Sequence, residues 1–255
     1  MRHTRRHTPS AIPLTGLILL SLLSGLCLAE TKEPALTPYH LVYDATIKGM
    51  DIQAERHLVR EGDSYKLVSK ADTLLASITE KGTFKIDSTG NILGQQYTYE
   101  RNIFGIKKNE SLTYDRSAGV ANYQKKKKQR QVKLDSDYLD KLTYQVQLQR
   151  DLIKGTIPLQ YQVIDRGKIK QYNFEIMGEE IVDTALGPIN AVKVHRIRKD
   201  SDRETYLWFA PHMNYLLVQI WQNEDDDDHR ITLKEGTVTI NPSPQAATST
   251  GRMSA

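Results

Sequence analysis

The sequence predicts a mainly β protein, an antiparallel curved sheet or open β-barrel with one helix packed against it. Three observations lead there. From Tyr39 onward apolar residues recur mostly at every second position, the period of strands that are wet on one face. About a dozen candidate strands are joined by short polar connections, which suit antiparallel neighbours because parallel pairs need helical crossovers. No motif repeats at a spacing of roughly 20–50 residues, which removes a propeller or solenoid.

The elements follow in chain order. Residues 1–29 read as a secretory signal peptide. Arg2, Arg5 and Arg6 form a cationic start, Leu14 to Leu23 an apolar run, and Cys27-Leu28-Ala29 places small residues at the third-last and last positions before a cut. Leu26 stands where lipoprotein processing needs a small residue, so Cys27 does not read as a lipidated terminus. Residues 30–37 are a short lead-in to a single β-rich domain over 38–240, and 241–255, rich in Ser, Thr, Pro and Ala, read as a disordered tail. Within the domain, Tyr39, Leu41 and Tyr43 share one strand face. Asp87-Ser88-Thr89-Gly90-Asn91 is a turn joining Thr83–Ile86 to Ile92–Tyr99. The turn Arg116–Gly119 joins Glu110–Asp115 to Val120–Gln124, and Arg166-Gly167-Lys168 joins Tyr161–Asp165 to Ile169–Ile176. Val192 to Ile197 precedes Arg203–Phe209, and Leu216–Trp221 precedes Ile231–Leu233.

One segment supports two readings. Leu142 to Gln149 alternates like a strand, yet Asp135-Ser136-Asp137 supplies helix caps and Asp137 and Asp140 have capping-box-like spacing. Leu139, Leu142, Val146 and Gln149 lie on one helical face, and Leu, Gln, Lys and Arg favour helix over strand. The helix, roughly 137–152, is the preferred reading.

Composition narrows the function classes. The 255 residues carry 35 Lys+Arg against 31 Asp+Glu and one Cys. Cleavage after Ala29 removes three Arg and that Cys, leaving 32 basic and 31 acidic residues. A near-neutral chain lacks the field that would steer it onto nucleic acid. A chain without Cys is neither a thiol enzyme nor a disulfide-held domain. No second stretch approaches a bilayer span, so no membrane span is expected once the leader is cut.

Four blocks then point to a family. Asp137 to Leu142, Leu186 to Val194, Tyr206-Leu207-Trp208-Phe209-Ala210-Pro211 and Tyr215 to Ile220 resemble, in order and spacing, the bacterial envelope family known as domain of unknown function 3108. The likeness covers most of residues 38–235. It implies a mostly β, secreted, periplasmic protein of unassigned biochemistry whose first block is helical. This chain has Leu217-Val218 where the family often reads Leu-Pro-Val, a departure that touches strand geometry rather than chemistry. The resemblance brings no catalytic residue.

The residues themselves assign no catalytic, cofactor or metal site. Lys125-Lys126-Lys127-Lys128-Gln129-Arg130 reads first as a solvated hairpin edge that discourages edge-to-edge pairing. Its functional reading is a contact for phosphate-bearing ligands or an anionic lipid surface. Glu224-Asp225-Asp226-Asp227-Asp228-His229 lacks the spaced calcium pattern and reads as a hairpin tip. His40, His57, His195, His212 and His229 are scattered, and neighbours such as Glu179 and Glu180 on one strand face opposite ways. All 13 Tyr lie beyond residue 38, for core packing or for a groove around an apolar or sugar-like ligand. The expected function is a noncatalytic envelope binding or assembly factor for a hydrophobic or envelope-derived ligand, with a lipid, lipoprotein or envelope polymer as partner. It predicts an apolar cavity of roughly 300 Å³ or more. The alternatives are a protein-interaction module of the cell envelope and a glycan or ester hydrolase.

Overall fold

A computed structural model describes residues 36–47, 50–199, 201–224 and 227–238. The expected leader, most of the lead-in and the expected tail lie outside these residues. The strands are β1 (Tyr39–Ile47), β2 (Met50–Glu61), β3 (Ser64–Asp72), β4 (Ala76–Ile86), β5 (Ile92–Ile103), β6 (Ile106–Asp115) and β7 (Val120–Lys125). They continue with β8 (Lys128–Lys133), β9 (Leu159–Asp165), β10 (Lys168–Thr184), β11 (Gly187–Ile197), β12 (Glu204–Ala210), β13 (Leu216–Glu224) and β14 (Asp227–Val238). A helix, α1 (Thr143–Lys154), separates β8 from β9.

All fourteen strands belong to one antiparallel sheet, ordered β8-β7-β6-β5-β4-β3-β2-β1-β14-β13-β12-β11-β10-β9. The chain therefore starts in the middle, steps outward hairpin by hairpin to one edge, crosses to the other edge and steps back until β14 meets β1. The expected mainly β, one-helix fold is what forms, and no strand pairing joins β8 to β9, so the barrel stays open. Period-two patterning does what it should: Tyr39, Leu41, Tyr43 and Ala45 of β1 are buried while His40, Asp44 and Thr46 face outward. Turn chemistry fixes the register. Asp87 Oδ1 accepts from the backbone N–H of Thr89 and Asn91 at 2.9 and 2.8 Å, and Gly90 supplies a φ of 87°.

The helix occupies the concave side of the sheet. Gln145 Oε1 accepts from Arg56 of β2 at 2.7 Å, and Gln147 Oε1 accepts from the Ile92 N–H of β5 at 2.9 Å. Asp151 accepts from Tyr161 of β9 at 2.8 Å, and the Tyr144 ring meets Tyr172 and Phe174 of β10. One helix touched from both halves of a sheet requires that sheet to curl around it. Val146 and Leu148 are fully buried, each contributing about 1.5–3 kcal/mol. Among the described residues no helix is long and apolar enough to cross a membrane.

The helix starts later than the spacing suggested. Asp137 does not cap it; Asp140 does, accepting from the Leu142 and Thr143 N–H at 2.9 Å, while Thr143 Oγ1 accepts from the Asp140 N–H at 3.0 Å. The residues before it are held by the sheet instead: Leu139 donates to Gln162 and accepts from Ile164, bridging to β9. Burial pushes the Asp140 carboxyl up to about 6 against its capping hydrogen bonds. A carboxyl raised above its unfolded value adds stability as pH falls through that window and loses it as pH rises. Chemical denaturation should therefore show Asp140→Asn losing about 2–3 kcal/mol less than the native chain between roughly pH 4 and pH 7. Parallel profiles would refute the shift.

Candidate functional site

Where the two edges of the sheet come closest, sequence-distant cations gather. The β7–β8 hairpin turns at Lys126–Lys127, and the β9–β10 hairpin turns at Arg166–Gly167, with Lys126 and Arg166 both at positive φ. Arg130 Nη1 donates to the Arg166 carbonyl at 3.3 Å across the gap. Between the hairpins lies a groove of about 520 Å³, lined by Lys125, Lys126, Lys127, Lys128, Arg130, Arg166, Lys168 and Lys170, with Tyr123 and Asp165 at its base. The Lys run is thus a hairpin edge, and it is also one wall of a two-walled site. The second wall, Arg166, Lys168 and Lys170, was not read from the sequence, because only the sheet's curvature brings it there.

The carboxylates at this site are already engaged. Asp165 takes Lys170 at 2.7 Å; burial works to raise its carboxyl, and Lys170, Lys141 and Arg166 outweigh that and hold it low. Glu110, buried behind the groove, takes Lys108 at 3.2 Å and Lys125 at 3.4 Å, and is likewise held low. Burial, with Glu110 beside it, pushes the Tyr123 hydroxyl up to about 12, so it stays a neutral donor. Among the described residues, Lys126, Lys127, Lys128 and Lys168 have no carboxylate within ion-pair reach. The seam is tight at Gly167 (φ 68°), where a Cβ would sit 2.9 Å from Arg130 and Tyr123. Gly167→Val combines that clash with a left-handed β-branched residue, and should lower the thermal midpoint by roughly 4–8 °C for about 2 kcal/mol. An unchanged midpoint would mean the edges do not press together.

A second groove, about 530 Å³, lies on the outer face. Gly178, at φ 112° beside a bulge, lets the far part of β10 turn back toward β14. Tyr206 stacks on His195 at 4.5 Å and meets Trp221 at 5.6 Å. Two of the three carboxylates here are committed: Glu180 accepts from Trp208 Nε1 at 2.6 Å and from Lys193 at 3.3 Å, and Glu204 holds His195 at 2.6 Å, while Asp183 completes the lining.

The remaining sequence candidates disperse. Ten of the 13 Tyr are buried, so most serve packing rather than a groove. His40 and His57 face each other across β1–β2 with ring centroids 5.3 Å apart, a neighbourhood that only strand register reveals. His195, His212 and His229 sit on separate elements. Glu179 and Glu180 part as expected, Glu179 accepting from Asn190 at 2.6 Å. Of the acidic run, Asp225 and Asp226 lie outside the described residues. Among the described residues no three His, Asp or Glu side chains are grouped to hold a metal ion.

With this geometry in hand, comparison with known proteins is informative about the fold. A Brucella abortus structure, described as a β-barrel-like protein of domain of unknown function DUF1849, is similar over 80% of this chain and 99% of its own, with a TM-score of 0.55 and 10% identity. A "putative lipoprotein" of Parabacteroides distasonis aligns over 80% of this chain and 97% of its own, at a TM-score of 0.30 and 11% identity. A "putative exported protein" of Bacteroides fragilis with a YmcC-like fold covers the same shares at a TM-score of 0.31 and 10% identity. Among curated proteins no relative matches. The resemblance read from the four sequence blocks holds: residues 42–234 match the profile of the family described as protein of unknown function (DUF3108), and the chain belongs to that family.

Proposed function

We propose that this protein is an exported, noncatalytic envelope factor that binds a phosphate-bearing, envelope-derived ligand in the cationic groove between the two edge hairpins. One observation carries the reading: eight cationic side chains face one groove that offers a single, already paired carboxylate. Such a cluster repels itself when empty and gains most from a multivalent anion. Three further points support it. The helix takes up the concave side of the sheet, and most of the residues lining the two grooves are polar or charged. Asp165, Glu180 and Glu204, beside the two grooves, are held by Lys, Trp or His partners rather than poised as an acid–base pair. The cationic, apolar leader fits export.

The test is a calorimetric titration with pyrophosphate at low salt, on the native protein and on Lys126→Gln/Lys127→Gln/Lys128→Gln/Lys168→Gln. Saturable binding by the native chain that the fourfold variant loses is the expected result. Absence of saturable heat, or equal binding by the variant, would remove the proposal.

A further inference from the structure

The strand order sends the connections β3–β4, β5–β6, β7–β8 and β9–β10 to the same end of the sheet. Beside the cationic groove, that end carries an exposed apolar tip. Leu74 is 98% exposed, Phe104 72%, Ile106 70% and Leu75 58%. They come from two adjacent turns that touch, the Phe104 N–H donating to the Leu75 carbonyl at 2.9 Å. Turn positions ordinarily hold Gly, Asn, Asp or Ser, so a cluster of large apolar residues here works against solubility. Phe104 adds backbone strain to exposure: it stands at φ 49° before Gly105 at φ 79°, the two-residue hairpin geometry in which Asn-Gly is preferred. An aromatic ring placed there is unfavourable twice over within the chain itself. Lys107 and Lys108 follow directly on β6, and the Lys126–Lys127 turn is the next connection along this end.

Apolar tips flanked by lysines match the two layers of an anionic bilayer surface, acyl chains below and phosphates above. We infer that this end of the sheet docks on an anionic membrane surface, Leu74 and Phe104 entering the acyl boundary while the cationic groove meets lipid phosphates. The inference rests on the phosphate-binding reading of the groove and names its source. Along the sheet, β1 and β2 separate β14 from the β3–β4 turn that carries Leu74.

The experiment is cosedimentation with vesicles of phosphatidylcholine alone and of equal parts phosphatidylcholine and phosphatidylglycerol. It uses the protein as its host produces it, native and as Leu74→Ser/Phe104→Asn. Asn suits the turn better than Phe, so the variant should keep or raise its thermal midpoint and keep its pyrophosphate binding. The native protein should sediment with the phosphatidylglycerol vesicles, and the variant should bind them at least about tenfold more weakly. Equal vesicle binding by both would show a contact of charge alone and overturn the inference. Pyrophosphate binding without vesicle binding would overturn it while leaving the groove's assignment intact; loss of both would overturn both. A native dimer that the variant converts to monomer, with no vesicle binding, would assign the tip to a second copy of the chain and overturn it as well.

Discussion

Phe84→Ala is expected to cost about 3–5 kcal/mol, read as a lowered urea midpoint with an unchanged slope. Phe84 is fully buried on β4 and stacks on Tyr65 of β3, its direct cross-strand neighbour, with centroids 5.7 Å apart and planes 17° from parallel. Such a pair adds about 0.5–1.5 kcal/mol to the burial itself. On the other side, Phe84 faces Gly94 of β5, and the Tyr114 ring already fills the space that a side chain at Gly94 would need, 2.8 Å from its Cβ position. Little is free to collapse into the hole that truncation leaves. Phe84→Leu, which keeps most of the volume, should lose clearly less. A loss below about 1 kcal/mol for the alanine variant would show that this cluster does not support the sheet.

The second large effect belongs to the fourfold lysine variant. Each cation near a phosphate-bearing surface contributes on the order of 1 kcal/mol, so four should weaken anion binding by about 4 kcal/mol, roughly a thousandfold. Native binding should fall steeply with salt, because the screening length shrinks from about 30 Å at 0.01 M to about 3 Å at 1 M. The variant, which keeps Lys125, Arg130, Arg166 and Lys170, should show a shallower salt dependence over that range. Folding stability should hold or rise, since none of the four side chains is ion-paired among the described residues and their removal relieves the cluster's self-repulsion. A salt-independent native affinity would show that the groove recognises its ligand through something other than charge.

Strand existence was legible in the sequence because each strand wets one face, and the turn clusters at Asp87–Asn91 and Arg166–Gly167 announced their hairpins. The helix was legible as an element but not in its start. Asp137 and Asp140 offer the same capping chemistry, and the contact that decides between them, Leu139 against β9, is made with residues more than twenty positions away. The cationic groove was half legible. Its Lys wall is contiguous in sequence, while its second wall comes from Arg166, Lys168 and Lys170 on the opposite sheet edge, which period-two patterning cannot place. The apolar tip carried a readable signal, Phe104 before Gly105 in a turn, that a search for alternating strands passes over. Gly178 inside an alternating run likewise marked the bend that builds the outer groove.

The strand order also has a consequence for the entropy of the chain. Most of the strand pairings join neighbours in sequence and close loops of a few residues. The pairing of β1 with β14 is the exception, tying Tyr39 to Val238 and letting Lys234 reach Asp44, 190 positions away. Loop-closure entropy grows with length, though slowly, so this pairing at the middle of the sheet carries the heaviest ordering penalty of any in the fold. The place that looks most central in space is the one where the two ends of the sheet-forming chain must find each other.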